Sequence, residues 1–141
     1  QADLKAVGIK AKIVSYDWGT YLNKTKYGEH DMALLGWTGD IGDPDNFLYI
    51  LLDKDNASKP AANISFYKSD ALHELLVAAQ VETDVKKRTA LYMKAQTIIH
   101  NDAPMVPIAH STVVLPIRKN VSNFIMDPTG RRRFSKVWLE K

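Results

Sequence analysis

The chemistry-bearing residues of this sequence crowd into one stretch, Gly36-Trp37-Thr38-Gly39-Asp40-Ile41-Gly42-Asp43-Pro44-Asp45-Asn46-Phe47. Three glycines, a tryptophan and three carboxylates follow one another there. Asp40 sits between Gly39 and Ile41-Gly42, where little side-chain bulk surrounds it, and Trp37 is near enough in sequence to wall a pocket. A carboxylate so placed can bind a cation or an ammonium group, because a charge-assisted hydrogen bond is about twice as strong as a neutral one. An Asx-turn, in which the Asp40 side chain bonds its own backbone, uses the same residue type equally well. Residue chemistry alone leaves both readings open. Asp43-Pro44 differs from Asp40: it reads as the N-cap and first position of a short helix carrying Phe47, Leu48, Ile50, Leu51 and Leu52, which assigns Asp43 to structure.

The elements that must position this stretch are legible upstream of it. Leu4 and Val7 have helical spacing, and Gly8 follows as a helix-ending residue. Ile9, Ala11 and Ile13 alternate with Lys10 and Lys12, the period of a strand with one wetter face. Asp17 is a helix N-cap for a face of Trp18, Tyr21, Leu22 and Thr25 that stops at Gly28. Met32-Ala33-Leu34-Leu35-Gly36-Trp37 is continuously apolar, as expected of a strand covered on both faces. Helix, strand, helix, strand predicts an α/β unit. Ligands in open α/β sheets bind beyond the carboxyl ends of strands, and the acidic glycine-rich stretch lies at such an end.

Downstream, residues 53 to 68 are polar and irregular and predict a surface loop. Ser69 caps a helix bearing Leu72, Leu75, Leu76 and Ala79. Asp84 caps another bearing Arg88, Leu91, Tyr92, Ala95, Ile98 and Ile99, and both stripes are core faces. Asn101, Asp102 and Pro104 end that helix. Extended structure is expected over Met105 to His110 and Val113 to Ile117, with a turn at Asp127-Pro128-Thr129-Gly130 and a last strand near Val137-Trp138-Leu139.

Composition excludes several functions. The 141 residues, 45% of them hydrophobic, suffice for a folded core. Zero cysteines rules out disulfides, thiol catalysis and cysteine-ligated zinc. The net charge of +3 is spread over mixed signs, which argues against nucleic acid as a partner, and Arg131-Arg132-Arg133 reads as a solvated turn. No apolar run of about 18 residues and no leader peptide is visible. His30, His73, His100 and His110 lack the spacing of metal ligands, and no Gly-x-Ser-x-Gly elbow occurs. The sequence therefore predicts no catalytic residue, no metal site and no cofactor.

Gly36-Trp37-Thr38-Gly39-Asp40 followed by Gly42-Asp43-Pro44-Asp45-Asn46-Phe47 resembles the signature loop of dipeptide-binding proteins in the peptide and nickel solute-binding family of ABC importers. Gly8 to Val14, Arg88 to Tyr92 and Ile108 to Val113 extend the resemblance along the chain. It implies part of a two-lobed fold similar to type II periplasmic binding proteins, a mixed sheet flanked by helices. Residues 1–111 would be the C-terminal portion of the second ligand-binding lobe, and 112–141 a terminal segment returning to the first lobe. The resemblance gives Asp40 the free α-amino group of the peptide and lays Trp37, Thr38 and Gly39 along its backbone. It places the arginine for the peptide carboxylate upstream, in the remainder of a several-fold longer protein. It also implies a periplasmic location, or a membrane-anchored lipoprotein in a Gram-positive cell, and docking on permease subunits. Relatives often carry a cysteine pair within 53–68, so this loop is expected to be more mobile or pinned differently. Haem- or nickel-binding members offer an alternative, and a peptide hydrolase a more distant one.

Overall fold

The computed structural model describes residues 1–141. Five α-helices are present: α1 Ala2–Ala6, α2 Trp18–Tyr27, α3 Asp45–Leu52, α4 Asp70–Val81 and α5 Val85–Asp102. A 3-10 turn at Lys54–Ala57 follows α3, and two short strands, β1 Val121–Ser122 and β2 Trp138–Leu139, pair antiparallel.

The helices begin and end where local chemistry dictates. Side-chain oxygens of Asp17, Ser69 and Asp84 accept from the backbone N–H groups of Thr20, Leu72 and Lys87, satisfying donors that the first helical turn leaves free. Gly28 closes α2 at φ 75°, a left-handed conformation that costs a glycine nothing. α3 departs slightly from expectation. It starts at Asp45 with Pro44 in the cap position, while Asp43 Oδ1 accepts from the Asp45 N–H at 2.9 Å. Asp43 still caps, one residue further out than the sequence suggested.

The core is a three-helix cluster. Leu48 and Leu52 of α3, Leu72, Leu76 and Ala79 of α4, and Tyr92 and Ala95 of α5 form one buried group. Phe47, Tyr67, Leu91 and Ile98 lie against it. The spacing of these residues, three or four apart on each helix, is what turns one stripe of each toward the others.

The expected strands behave differently. Residues 10–16, 30–42 and 104–117 form no backbone–backbone hydrogen bond at all. Of the extended elements read from the sequence, only the one near Trp138–Leu139 is in a ladder, pairing Val121 with Leu139 and Ser122 with Trp138. A strand needs a neighbour within hydrogen-bonding reach, and within these 141 residues the other runs have none beside them. Their apolar side chains are accordingly bare: Leu34 is 78% exposed and Val114 80%. For residues 32–37, where Met32, Leu34, Leu35 and Trp37 are all exposed, pattern and exposure agree that the run is built to be covered on both faces.

Residues 53–68, expected as a surface loop, are anchored instead. Asn63 is fully buried, and its Nδ2 donates to the carbonyls of Asp53 and Tyr67 at 3.1 and 2.9 Å. Asn63 Oδ1 accepts from the Ser65 hydroxyl, and the Asn56 carbonyl accepts from the N–H groups of both Ala62 and Asn63. Buried polar residues that satisfy the backbone of an irregular segment replace the pinning a disulfide would give.

Candidate functional site

The stretch from Gly36 to Phe47 leaves the apolar run at residues 32–37 and climbs into α3. α2 holds its beginning, since the Tyr21 hydroxyl donates to the Leu34 carbonyl at 2.8 Å. Trp37 lies with Trp18, Leu22, Leu35, Ile50 and Leu51 around an apolar cavity of about 380 Å³. Gly39 sits at a close approach of the chain to itself. A Cβ there would sit 3.1 Å from the Ile41 carbonyl oxygen and 3.5 Å from Asn46 Oδ1. Thr38 faces Gly130, whose missing side chain would come 3.9 Å from Thr38 Cγ2.

Asp40 is held by its backbone and free at its carboxylate. Its N–H donates to Asn46 Oδ1 at 2.8 Å, and its carbonyl accepts from Arg131 Nη2 at 3.3 Å. No hydrogen bond or ion pair within the chain reaches its side-chain oxygens, so Asp40 does not form an Asx-turn, and its residue is exposed. Trp37, Thr38, Gly39 and Asp40 therefore lie together on one short loop, with only the aspartate offering a charge. Arg131, read from sequence as part of a solvated turn, is exposed and also contacts this loop across 91 positions of sequence.

Behind the loop lies an ion pair that sequence reasoning missed. Arg88, on the first turn of α5, donates Nη1 to Asp43 Oδ2 and Nη2 to Asp43 Oδ1, both at 2.8 Å. Its Nε donates to the Ala79 carbonyl and its Nη2 also to the Tyr92 hydroxyl, each at 2.8 Å, and its guanidinium lies 5.0 Å from the Tyr92 ring centroid. Gln80 Nε2 adds a bond to Asp45 Oδ1 at 2.9 Å. The hydrogen bonds from Arg88 hold the Asp43 carboxyl below the usual carboxylate range, and desolvation opposes them without prevailing. A clue was present in the sequence: a charged residue inside an apolar stripe must find a counter-charge.

That shift fixes the sign of a pH effect. A carboxyl group whose folded pKa lies below its unfolded value adds stability that is fully present above the unfolded value and is lost as pH falls through the folded one. The Asp43→Asn variant is therefore expected to unfold at lower denaturant concentration than the native protein at neutral pH, with the gap closing in acid. A gap that stays constant down to strongly acid pH would remove this role from Asp43.

One further cluster joins residues that the sequence keeps apart. His73 Nδ1 lies 3.1 and 3.0 Å from the two oxygens of fully buried Asp53 and 3.8 Å from Asp55 Oδ2, and the three donor atoms fall within 4.8 Å of one another. Asp53 Oδ1 also accepts from the Asp55 N–H, capping the 3-10 turn. Asp53 thus spends its oxygens on the imidazole and on the turn, which makes it a structural hub. Tyr49 donates to Asp55 at 3.0 Å, and that bond pushes the phenol up to about 12.

An apolar extended run that empties into a glycine-rich, acidic loop, with helices on its flanks, is the arrangement at which open α/β sheets place their ligands. The comparisons place it more narrowly. Residues 1–59 match the model of bacterial extracellular solute-binding proteins, family 5 Middle. The dipeptide-binding protein of Escherichia coli (strain K12) is 44% identical over 99% of this chain, and heme-binding protein A of Haemophilus influenzae (strain Rd) is 37% identical over 99%. The ABC transporter-associated periplasmic binding protein DppA of Helicobacter pylori, solved in complex with the peptide STSA, superposes with a TM-score of 0.91 at 51% identity over 100% of the chain. The chain is similar along its whole length to extracellular solute-binding proteins of this kind. It spans about a quarter of their length: 26% and 25% of the two curated relatives and 28% of the solved chain. The expected α/β fold of periplasmic binding proteins holds, and the proteins it matches are named as extracellular or periplasmic binding proteins.

Proposed function

We propose that the protein captures short peptides, dipeptides foremost, outside the cytoplasm and delivers them to the permease subunits of an ABC importer without chemically altering them. The observation that carries this reading is the Asp40 carboxylate, unpaired at the tip of a loop whose backbone is fixed by Asn46 and Arg131. An exposed carboxylate on a held backbone is open to an ammonium group, and the main chain loses little freedom on binding it. Trp37, Thr38 and Gly39 line the approach to it as backbone contacts for the peptide.

In this reading residues 1–111 and 112–141 belong to different lobes. Every member of the buried core cluster falls in the first range and the only strand ladder in the second, which supports the division. The contact of Arg131 with the Asp40 carbonyl then joins the two segments at the site. The peptide carboxylate is met by a cation from the remainder of the protein, outside these residues. Closure of the lobes excludes water and strengthens the pairing at Asp40. The location is periplasmic, or the outer face of the membrane if the protein is lipid-anchored.

Haem is the second reading, favoured by the 37% identity to heme-binding protein A. Both readings separate in one experiment. After incubation of the intact protein with a dipeptide and removal of unbound ligand, the dipeptide is expected to be recovered whole from the protein fraction, and a haem titration is expected to leave the Soret band at its free position. Free amino acids in place of the dipeptide would point to a hydrolase. A shifted Soret band with no retained peptide would move the function to haem.

A further inference from the structure

Nothing in the backbone of the Asp40 loop accounts for its being held. Residues 30–42 make no backbone–backbone hydrogen bond, and Gly36, Gly39 and Gly42 leave the main chain intrinsically permissive. Besides the bond from Arg131 to its carbonyl, what fixes Asp40 is a relay of side chains. The Asp40 N–H is bonded to Asn46 on the first turn of α3, and the start of that turn is set by Asp43, whose Oδ1 accepts from the Asp45 N–H. Both Asp43 oxygens are then clamped by the Arg88 guanidinium, which the Ala79 carbonyl and the Tyr92 hydroxyl lock in turn. Gln80, at the end of α4, holds Asp45 in parallel. The rigid body at the far end of this relay is the α4–α5 hairpin, whose Leu72, Leu76 and Ala95 are fully buried.

We infer that Arg88 is a positioning residue for Asp40: it transmits the rigidity of the helical hairpin to the ammonium-binding loop and so sets how much affinity the peptide's free N-terminus contributes. The inference rests on the proposed role of Asp40 in amine binding. A bidentate guanidinium–carboxylate pair fixes direction as well as distance, which a single ammonium cannot do. Loss of the fork leaves Asp43 with one loop-side partner and allows the glycine-flanked loop several conformations, only one of which presents Asp40 as the native loop does. Each alternative conformation reduces the competent fraction and weakens binding in proportion.

A merely structural Arg88 would lower stability and leave discrimination between ligands unchanged, so the decisive readout is a ratio. In the intact protein, the affinities for a dipeptide and for the same dipeptide N-acetylated are compared for the native sequence, Arg88→Met and Arg88→Lys. Methionine keeps much of the apolar stem, and lysine keeps the charge without the fork. The ratio is expected to fall at least tenfold in Arg88→Met and by a lesser factor in Arg88→Lys, with Asp43→Asn adding nothing to Arg88→Met. A native-like ratio in an Arg88→Met protein that binds peptide overturns the inference; if that variant fails to fold, a native-like ratio in Arg88→Lys does so. Equal affinities for the two peptides in the native protein would instead overturn the amine-binding role of Asp40. Amide exchange then reads the positioning separately. The Asp40 N–H is expected to exchange at least tenfold faster in Arg88→Lys, with Leu76 unchanged, and native-like exchange at Asp40 sinks the relay whatever the ligand.

Discussion

Replacing Asp40 by alanine is expected to reduce affinity for a dipeptide by two to three and a half orders of magnitude while leaving the unfolding transition where it was. The two halves of that result come from the same geometry. The Asp40 carboxylate has no partner within the chain, so its removal breaks no internal contact; the Asn46 and Arg131 bonds go to its backbone, which alanine retains. In a closed, water-poor cleft the loss of one partner of an ion pair costs about 3 to 5 kcal/mol, because the remaining charge stays buried and unpaired. At about 1.4 kcal/mol per factor of ten, that is the range stated. Asp40→Asn should fall between the two, since an amide oxygen still accepts from the ammonium but carries no charge. Binding by Asp40→Ala within threefold of native would show that the ligand is held elsewhere.

The largest effect on stability is expected at Leu76. It is fully buried on α4 within the cluster formed by α3, α4 and α5. Leu76→Ala removes the transfer energy of the lost methyl and methylene groups and leaves a cavity between helices that cannot fully close, at a cost of about 2 to 5 kcal/mol. The adjacent Val77, 38% exposed on the same helix, provides the control, and Val77→Ala is expected to cost well under half as much. Denaturant unfolding of the intact protein measures both, and equal costs at the two positions would mean that this face of α4 is not the core. The affinity ratio that Arg88 controls should drop with Leu76→Ala only to the extent that the hairpin itself loosens.

Local chemistry was well written in the sequence, and long-range partnership was not. Asp17, Ser69 and Asp84 cap helices as expected, and Gly8 and Gly28 take the left-handed backbone that ends them. Each of these signals is complete within four or five residues. The runs at 9–14, 32–37, 105–110 and 113–117 are legible as strand patterns, but a ladder depends on what lies alongside, and only Val121–Ser122 and Trp138–Leu139 find each other here. The buried anchors within residues 53–68 are not legible in the sequence, because polarity ordinarily means exposure. Asp53 and Asn63 are buried precisely where an irregular backbone needs internal donors and acceptors. The candidate site divides the same way. Its loop members, Trp37, Thr38, Gly39 and Asp40, are consecutive, and the loop could be picked out by composition. Its supports come from far away, Arg88 by 45 positions from Asp43 and Arg131 by 91 from Asp40, and no local pattern pairs them.

The central claim, that the protein holds a peptide by its free N-terminus, is tested most directly by calorimetric titration of the intact native protein with a dipeptide and with its N-acetylated form. Acetylation removes the positive charge and adds bulk where the Asp40 carboxylate waits, so the free dipeptide is expected to bind at least a hundredfold more tightly. Equal heats and equal affinities for the two would contradict the claim and send the search for the ligand away from Asp40.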